Sequence, residues 1–267
     1  MKLHRAAAIV LRQLYLMRGS PARVLPLFAW AAIDIVLWGF ITKYLNTLTS
    51  SGPNFVSSLL GAVLLWDFFG RVMYGVTTTF FEDVWSRNFL NIFAAPLSIA
   101  EYLSGLVLSS TGTSAVGLLV MVVLATVLFG LSLFAYGMML IPFLLVLFLF
   151  GIAMGIFGSA LVLRLGPAAE WFVWPIPALI SPFAGVFYPL STLPGWMQYL
   201  ARLLPPSYVF EGIRAIVAGH AIAPVALVVG GCLAIFYVFA AGWFFARIYK
   251  HAVRTGLIAR YSAETLG

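Results

Sequence analysis

The 267-residue chain carries 15 Lys and Arg, 8 Asp and Glu, and 63% hydrophobic residues. Charged residues make up 9% of it, against about 25% in soluble domains. So few polar groups cannot cover a water-soluble fold of this size, which excludes one and points to an all-α integral membrane protein, read as a single domain over residues 1–267. The net charge of +7 is accounted for by cations that flank apolar segments and meet anionic headgroups, so nucleic acid is not an expected partner.

In chain order, residues 1–22 are too charged to cross a bilayer. Leu3, Ala7, Val10, Leu11, Leu14 and Met17 recur at helical spacing with Arg5, Arg12 and Arg18 between them, the pattern of an amphipathic helix lying in the membrane interface. Such a helix is either a plain anchor or a collar on the first span that also touches a partner. No signal peptide is expected, because Arg12 interrupts the apolar stretch after six residues.

Six membrane-spanning helices are predicted. The first covers 24–45 and contains Asp34; a polar turn, 46–54, leads to the second over 55–81, which contains Asp67 and Arg71. After a polar interlude, the third covers 99–129, a turn at 130–137 follows, and the fourth covers 138–163. "RLGPAAE" (164–170) is a short loop with a Gly-Pro breaker. The fifth begins near 170 and contains Pro175, Pro177 and Pro182, so it is kinked or broken. The sixth covers 222–247 and holds Cys232, which reads as a packing residue. The runs 44–66, 102–163, 171–201 and 215–246 contain no charged residue, and a span needs about 20 apolar residues.

The cations set the orientation. With the N-terminus inside, Lys2, Arg5, Arg12, Arg18, Arg23, Arg87, Arg164, Arg247, Lys250, Arg254 and Arg260 are cytoplasmic, while Lys43, Arg202 and Arg214 are outside. Both termini are then expected in the cytoplasm.

The interlude between the second and third spans, "SRNFLNIFAAPLSIAEYLSG" (86–105), concentrates polar residues. The stretch 82–98 opens with Glu82 and Asp83. Trp85, Phe89 and Phe93 are spaced four apart on one helical face, with Arg87 and Asn91 on another. "AAP" stops that helix, and Ser98 with Glu101 forms a capping-box pattern that starts the next span. At the other end of the chain, Pro194, Pro205 and Pro206 bound "GWMQYLARLL", too short to cross, and "SYVFEGIRAIVAG" carries Glu211 and Arg214 three apart. Residues 191–221 fit a shallow outer hairpin, or alternatively an external loop with two surface helices.

Two of these stretches carry a family resemblance. "RNFLNIFAAPLSIAEYLSG" resembles the coupling helix of type-2 ATP-binding-cassette exporter permeases, and "PFAGVFYPLSTLPGWMQYLARLLPPSYVFEGIRAIVAG" (182–219) is similar to that family's re-entrant hairpin between spans five and six. The resemblance implies a permease that docks a separate ATPase chain, in two copies, through 82–98, with a second membrane subunit, as a homodimer, enclosing the path for cargo. It further implies that ATP and Mg are bound by that partner; the chain itself is expected to hold no cofactor or metal and to catalyse nothing. In keeping with this, none of Lys2, Lys43 and Lys250 follows a glycine, as a phosphate-binding loop requires. A bacterial inner-membrane location and an amphiphilic cargo, such as a glycolipid, a lipid-linked polysaccharide or a hydrophobic drug, go with that reading.

Asp67 and Arg71 are four apart inside a span, where a charge costs roughly 2.5–3.5 kcal/mol on insertion scales. They either neutralise each other or also line the path. An ion- or proton-coupled carrier using Asp34, Asp67, Arg71 and Glu170 is the alternative, although such carriers usually show internal repeats and none is visible. An intramembrane protease would need His at depth, whereas His4, His220 and His251 lie near span ends.

Overall fold

The computed structural model describes residues 3–48, 56–86, 91–92, 95–220 and 224–256. The described residues are helical, with no strand. Helix α1 (Leu3–Arg18) is followed by α2 (Pro21–Leu48), a π-helical turn at Val56–Leu60, α3 (Gly61–Trp85), α4 (Ile99–Phe129), α5 (Leu140–Leu165), α6 (Glu170–Val173), α7 (Ile176–Ala184), α8 (Gly195–Ala201), α9 (Pro205–Val217) and α10 (Pro224–Arg254).

Five helices are long and apolar enough to cross a bilayer: Phe28–Leu48, Ser58–Trp85, Ile99–Phe129, Tyr136–Leu165 and Pro224–Arg254. The protein is therefore a multi-pass membrane protein. Of the six spans predicted, the segment from 170 was expected to be kinked or broken, and it is divided into α6 and α7. Pro175 and Pro177 stand at the break and lack the N–H that a continuous helix needs. The Tyr74 hydroxyl of α3 donates to the Trp174 carbonyl at 2.7 Å, and Ser181 Oγ donates to the Ala178 carbonyl at 3.1 Å, the acceptor that Pro182 cannot serve. Irregular backbone at membrane depth survives where protein groups satisfy it in this way.

The ends of α4 follow from local sequence. Ser98 Oγ accepts the Glu101 N–H at 3.3 Å, and the Ser98 N–H donates to Glu101 Oε2 at 3.0 Å, completing the capping box. At the other end Gly130 adopts φ 68°, with the Leu131 N–H reaching the Ala125 carbonyl and the Gly130 N–H that of Thr126. This left-handed stop is cheap for glycine and strained for other residues.

α3 is the most buried of the five long helices and packs against α4 and α5, with α10 also packed against α5. Gly151, Gly155 and Gly158 make one face of α5. A Cβ on Gly155 would lie 2.7 Å from Val76 Cβ and 2.9 Å from the Met73 carbonyl oxygen; one on Gly151 would lie 2.9 Å from Val72 Cβ. In lipid, small residues at this spacing let helix backbones approach closely, and van der Waals contact then replaces the missing hydrophobic drive. On the opposite side of α3, Ser110 of α4 donates to the Val72 carbonyl at 2.8 Å.

The hairpin region forms two short helices. Pro205 and Pro206 occupy the first turn of α9, where a missing N–H costs nothing. α9 buries Val209, Phe210 and Ile213, whereas Trp196 and Tyr199 of α8 are exposed.

The glycine face gives a direct test. Gly155→Leu is expected to lower the apparent Tm in detergent, with a stability loss of about 1–3 kcal/mol or more, the range for overpacking. Gly242→Ala, which meets nothing within 4 Å, should leave Tm unchanged or slightly raised. Equal melting of Gly155→Leu and wild type would show that α3 and α5 are not in such close contact.

Candidate functional site

Three groups of polar residues stand out, and α3 supplies the central residues of two of them. The first lies at the end of the bundle that carries α1. α3 runs through Trp85, four residues beyond the expected end of the second span, because Phe80, Phe81 and Val84 still have a core to enter. Glu82 and Asp83 therefore sit in the last turn of α3 and not in a separate helix. Asp83 was expected on the partner-facing stretch; its side chain is instead 0% exposed. It is ion-paired with Arg12 of α1, and its Oδ2 accepts the Tyr102 hydroxyl of α4 at 2.8 Å. One carboxylate thus joins three helices.

A second tie lies alongside. Arg5 of α1 reaches Glu101 Oε2 at 3.3 Å, the atom that caps α4 through the Ser98 N–H. Ile9 lies over Gly105 of α4, whose missing side chain makes the room: a Cβ there would be 2.7 Å from Ile9 Cβ. The principal contact of α1 is consequently with α4, more than with the first span. A cleft of about 330 Å³ opens between α1 and the interlude, lined by Arg5, Ile9, Arg12, Pro96, Leu97 and Tyr102 among others. Of the remaining residues expected here, Trp85 is exposed and tilts against Phe81 with ring centroids 5.8 Å apart. Asn91 is exposed and Glu82 half-buried. Arg87, Phe89 and Phe93 lie outside the described residues.

The second group lies at bilayer depth. Arg71 Nε meets Asp67 Oδ2 at 3.0 Å, with side chains 12% and 26% exposed. Gly117 of α4 gives the arginine its space, since a Cβ there would lie 3.0 Å from Arg71 Cδ. Asp34 of α2, half-buried, is near enough to interact electrostatically with both. Beyond Arg71 on α3, Tyr74 stacks obliquely on Trp174 at 4.8 Å, and Trp38 of α2 stacks on Phe187 at 5.1 Å. Glu170 is not in this group; it accepts the Trp174 indole N–H at 2.9 Å.

The third group is at the hairpin end. Glu211 Oε1 accepts the Leu190 N–H at 2.9 Å and Arg214 Nη2 at 2.8 Å, so this pair fixes the segment after α7 to α9. Gly185, at φ 67°, passes close beneath it, 3.1 Å from Arg214 Nη2 to a would-be Cβ. Sequence spacing found both i,i+3 and i,i+4 pairs. It missed Arg12–Asp83–Tyr102 and Arg5–Glu101, whose members are far apart in sequence and carry no local signal.

No group of three or more His, Cys, Asp or Glu able to hold a metal occurs among the described residues. Charged ties hold α1 to the two helices that bracket the polar interlude, and a paired Asp67 and Arg71 lie farther along α3.

The family model for "ABC-2 type transporter" matches residues 8–218, which includes every residue of the three groups except Arg5. The chain is similar to Nodulation protein J of Rhizobium meliloti (strain 1021), 31% identical over 75 residues, covering 27% of this chain and 29% of that protein.

Two outcomes test the ties. Arg12→Ala leaves Asp83 buried without its cation and is expected to destabilise by about 3 kcal/mol, the scale for breaking a buried pair; the Arg12→Ala, Asp83→Ala double variant should melt higher than Arg12→Ala alone. By the same logic Asp67→Ala should lower yield and thermal stability more than Asp67→Ala with Arg71→Ala, because the single change takes from Arg71 the carboxylate bonded to its Nε at a depth where an imbalance of charge is costly.

Proposed function

The chain belongs to the ABC-2 type transporter family, and on that premise we propose that it is the membrane-spanning subunit of an ATP-driven exporter. Two copies enclose the path, and each engages one copy of a separate ATPase chain. The side carrying α1 and the 82–98 stretch faces the cytoplasm, as the distribution of Lys and Arg favours, in the bacterial inner membrane. ATP and Mg belong to the partner, since this sequence has no Gly-Lys step for a phosphate-binding loop.

The observation that carries this reading is the double tie of α1 to α3 and α4 beside residues 86–98. A partner pressing on that interlude, at Arg87, Phe89, Asn91, Phe93 and the neighbouring Glu82 and Trp85, pushes on the end of α3 and the start of α4 together. α1 moves with them because Asp83 and Glu101 hold it. The push is delivered along α3 to the Asp67–Arg71 pair, which lines the path for an amphiphilic cargo. On the outer side the Glu211–Arg214 clamp closes the exit as a re-entrant hairpin.

The purified chain should hydrolyse no ATP by itself and should co-purify with an ATPase expressed from the same cell. Arg87→Glu should weaken that association while membrane insertion is retained; the effect of one exposed charge is about 1 kcal/mol or less, read as a several-fold rise in Kd. ATP hydrolysis by the single chain, or an association indifferent to every change across 82–98, would overturn the reading.

A further inference from the structure

We propose that the face of α2 around Asp34, with the adjoining Asp67–Arg71 pair of α3, is a binding site for an amphiphilic organic cation. Asp34 lies well inside the first span, Phe28–Leu48, and is half-buried. Among the described residues it makes neither a hydrogen bond nor an ion pair. Its electrostatic neighbours are Asp67 and Arg71. Arg71 is already bonded to Asp67 at 3.0 Å, so the cluster holds two carboxylates for one guanidinium, and Asp34 is the one in excess.

The surroundings of Asp34 are aromatic. Trp30 and Trp38 stand one turn to either side on the same helical face. Trp30 is 63% exposed, and Trp38 stacks on Phe187 beyond the broken helix. A carboxylate one helical turn from an exposed indole suits a large, weakly hydrated cation, which gains from the acid and from the ring quadrupole together. An anion would meet Asp34 with the wrong sign. A second copy of the chain has no cation to spare at this depth: Arg71 is committed to Asp67, and Lys43 lies nine residues along α2, about 13 Å by helical rise.

The proposal rests on the exporter reading, because a path for cargo is what places such a molecule against these helices. The full chain in nanodiscs would be titrated with tetraphenylphosphonium and with tetraphenylborate, its anionic twin in shape, using tryptophan fluorescence and subtracting the signal of empty nanodiscs. The phosphonium should bind at least tenfold more tightly than the borate. Asp34→Asn should reduce phosphonium binding at least tenfold and Asp34→Glu should largely restore it; Trp30→Ala should weaken it several-fold, and Trp30→Phe less. Equal binding of the two ions, an Asp34→Asn variant that melts like wild type and binds the phosphonium unchanged, or better displacement by the neutral dodecyl maltoside would overturn the site. Assembly with the ATPase is measured separately. Selective phosphonium binding without any ATPase association would overturn the exporter reading and leave the cation site standing, and the reverse result would do the opposite.

Discussion

The close approach of α3 to the glycine face of α5 is the constraint on which the rest of the molecule depends. Helices in hydrocarbon gain little by hiding apolar surface from one another, so association rests on contact distance and on the few polar bonds between them. Gly151, Gly155 and Gly158 bring the α5 backbone onto Val72, Val76 and Thr77 with no space for another carbon. That contact fixes the rotation of α3 about its own axis. With the rotation fixed, Asp67 and Arg71 turn toward α2 and α4, Tyr74 toward the helix break, and Asp83 toward α1. Small residues on α4 serve the same end: Gly75 of α3 passes Ser110 so closely that a Cβ would sit 3.0 Å from the serine Cβ.

Charge placement follows the same economy. A chain with 8 acidic residues places Asp83 and Glu101 where each meets an arginine of α1, and Asp67 and Glu211 where each meets an arginine of its own helix. The pairs differ in what they do. Those within one helix neutralise a local charge, and of the two only Glu211 also reaches another segment, through the Leu190 N–H. Those to α1 cross between elements, and they are the reason a helix too polar to enter the bilayer is held to two that span it.

What the sequence makes legible is what local chemistry decides. The capping box at Ser98 and Glu101, the stop at Gly130, the interruption at Pro175 and Pro177, and the Asp67–Arg71 and Glu211–Arg214 pairs all follow from residues within a few positions of one another. The extent of α3 was not legible, because Glu82 and Asp83 look like the start of a separate short helix. Only the packing of Phe80, Phe81 and Val84 carries the helix past them, and the cation that makes burial of Asp83 tolerable comes from α1. Likewise the capping role of Glu101 was visible, whereas Arg5, 96 residues away, was not. Trp30, Asp34 and Trp38 share a spacing that could have been noticed, but the approach of α2 to Arg71 is a tertiary fact.

The carboxylate of Glu101 holds two structures with one atom. Oε2 receives the Ser98 N–H that closes the first turn of α4 and the Arg5 guanidinium that secures α1. Loss of Ser98 Oγ leaves the arginine in place, and loss of Arg5 leaves the backbone cap in place. Loss of the Glu101 side chain removes half of the cap and one of the two charged ties of α1 in the same event, leaving the Glu101 N–H on Ser98 Oγ and Arg12 on Asp83. In engineering terms the residue is a shared fastener: each joint has a second fixing, but one lost side chain loosens both at once.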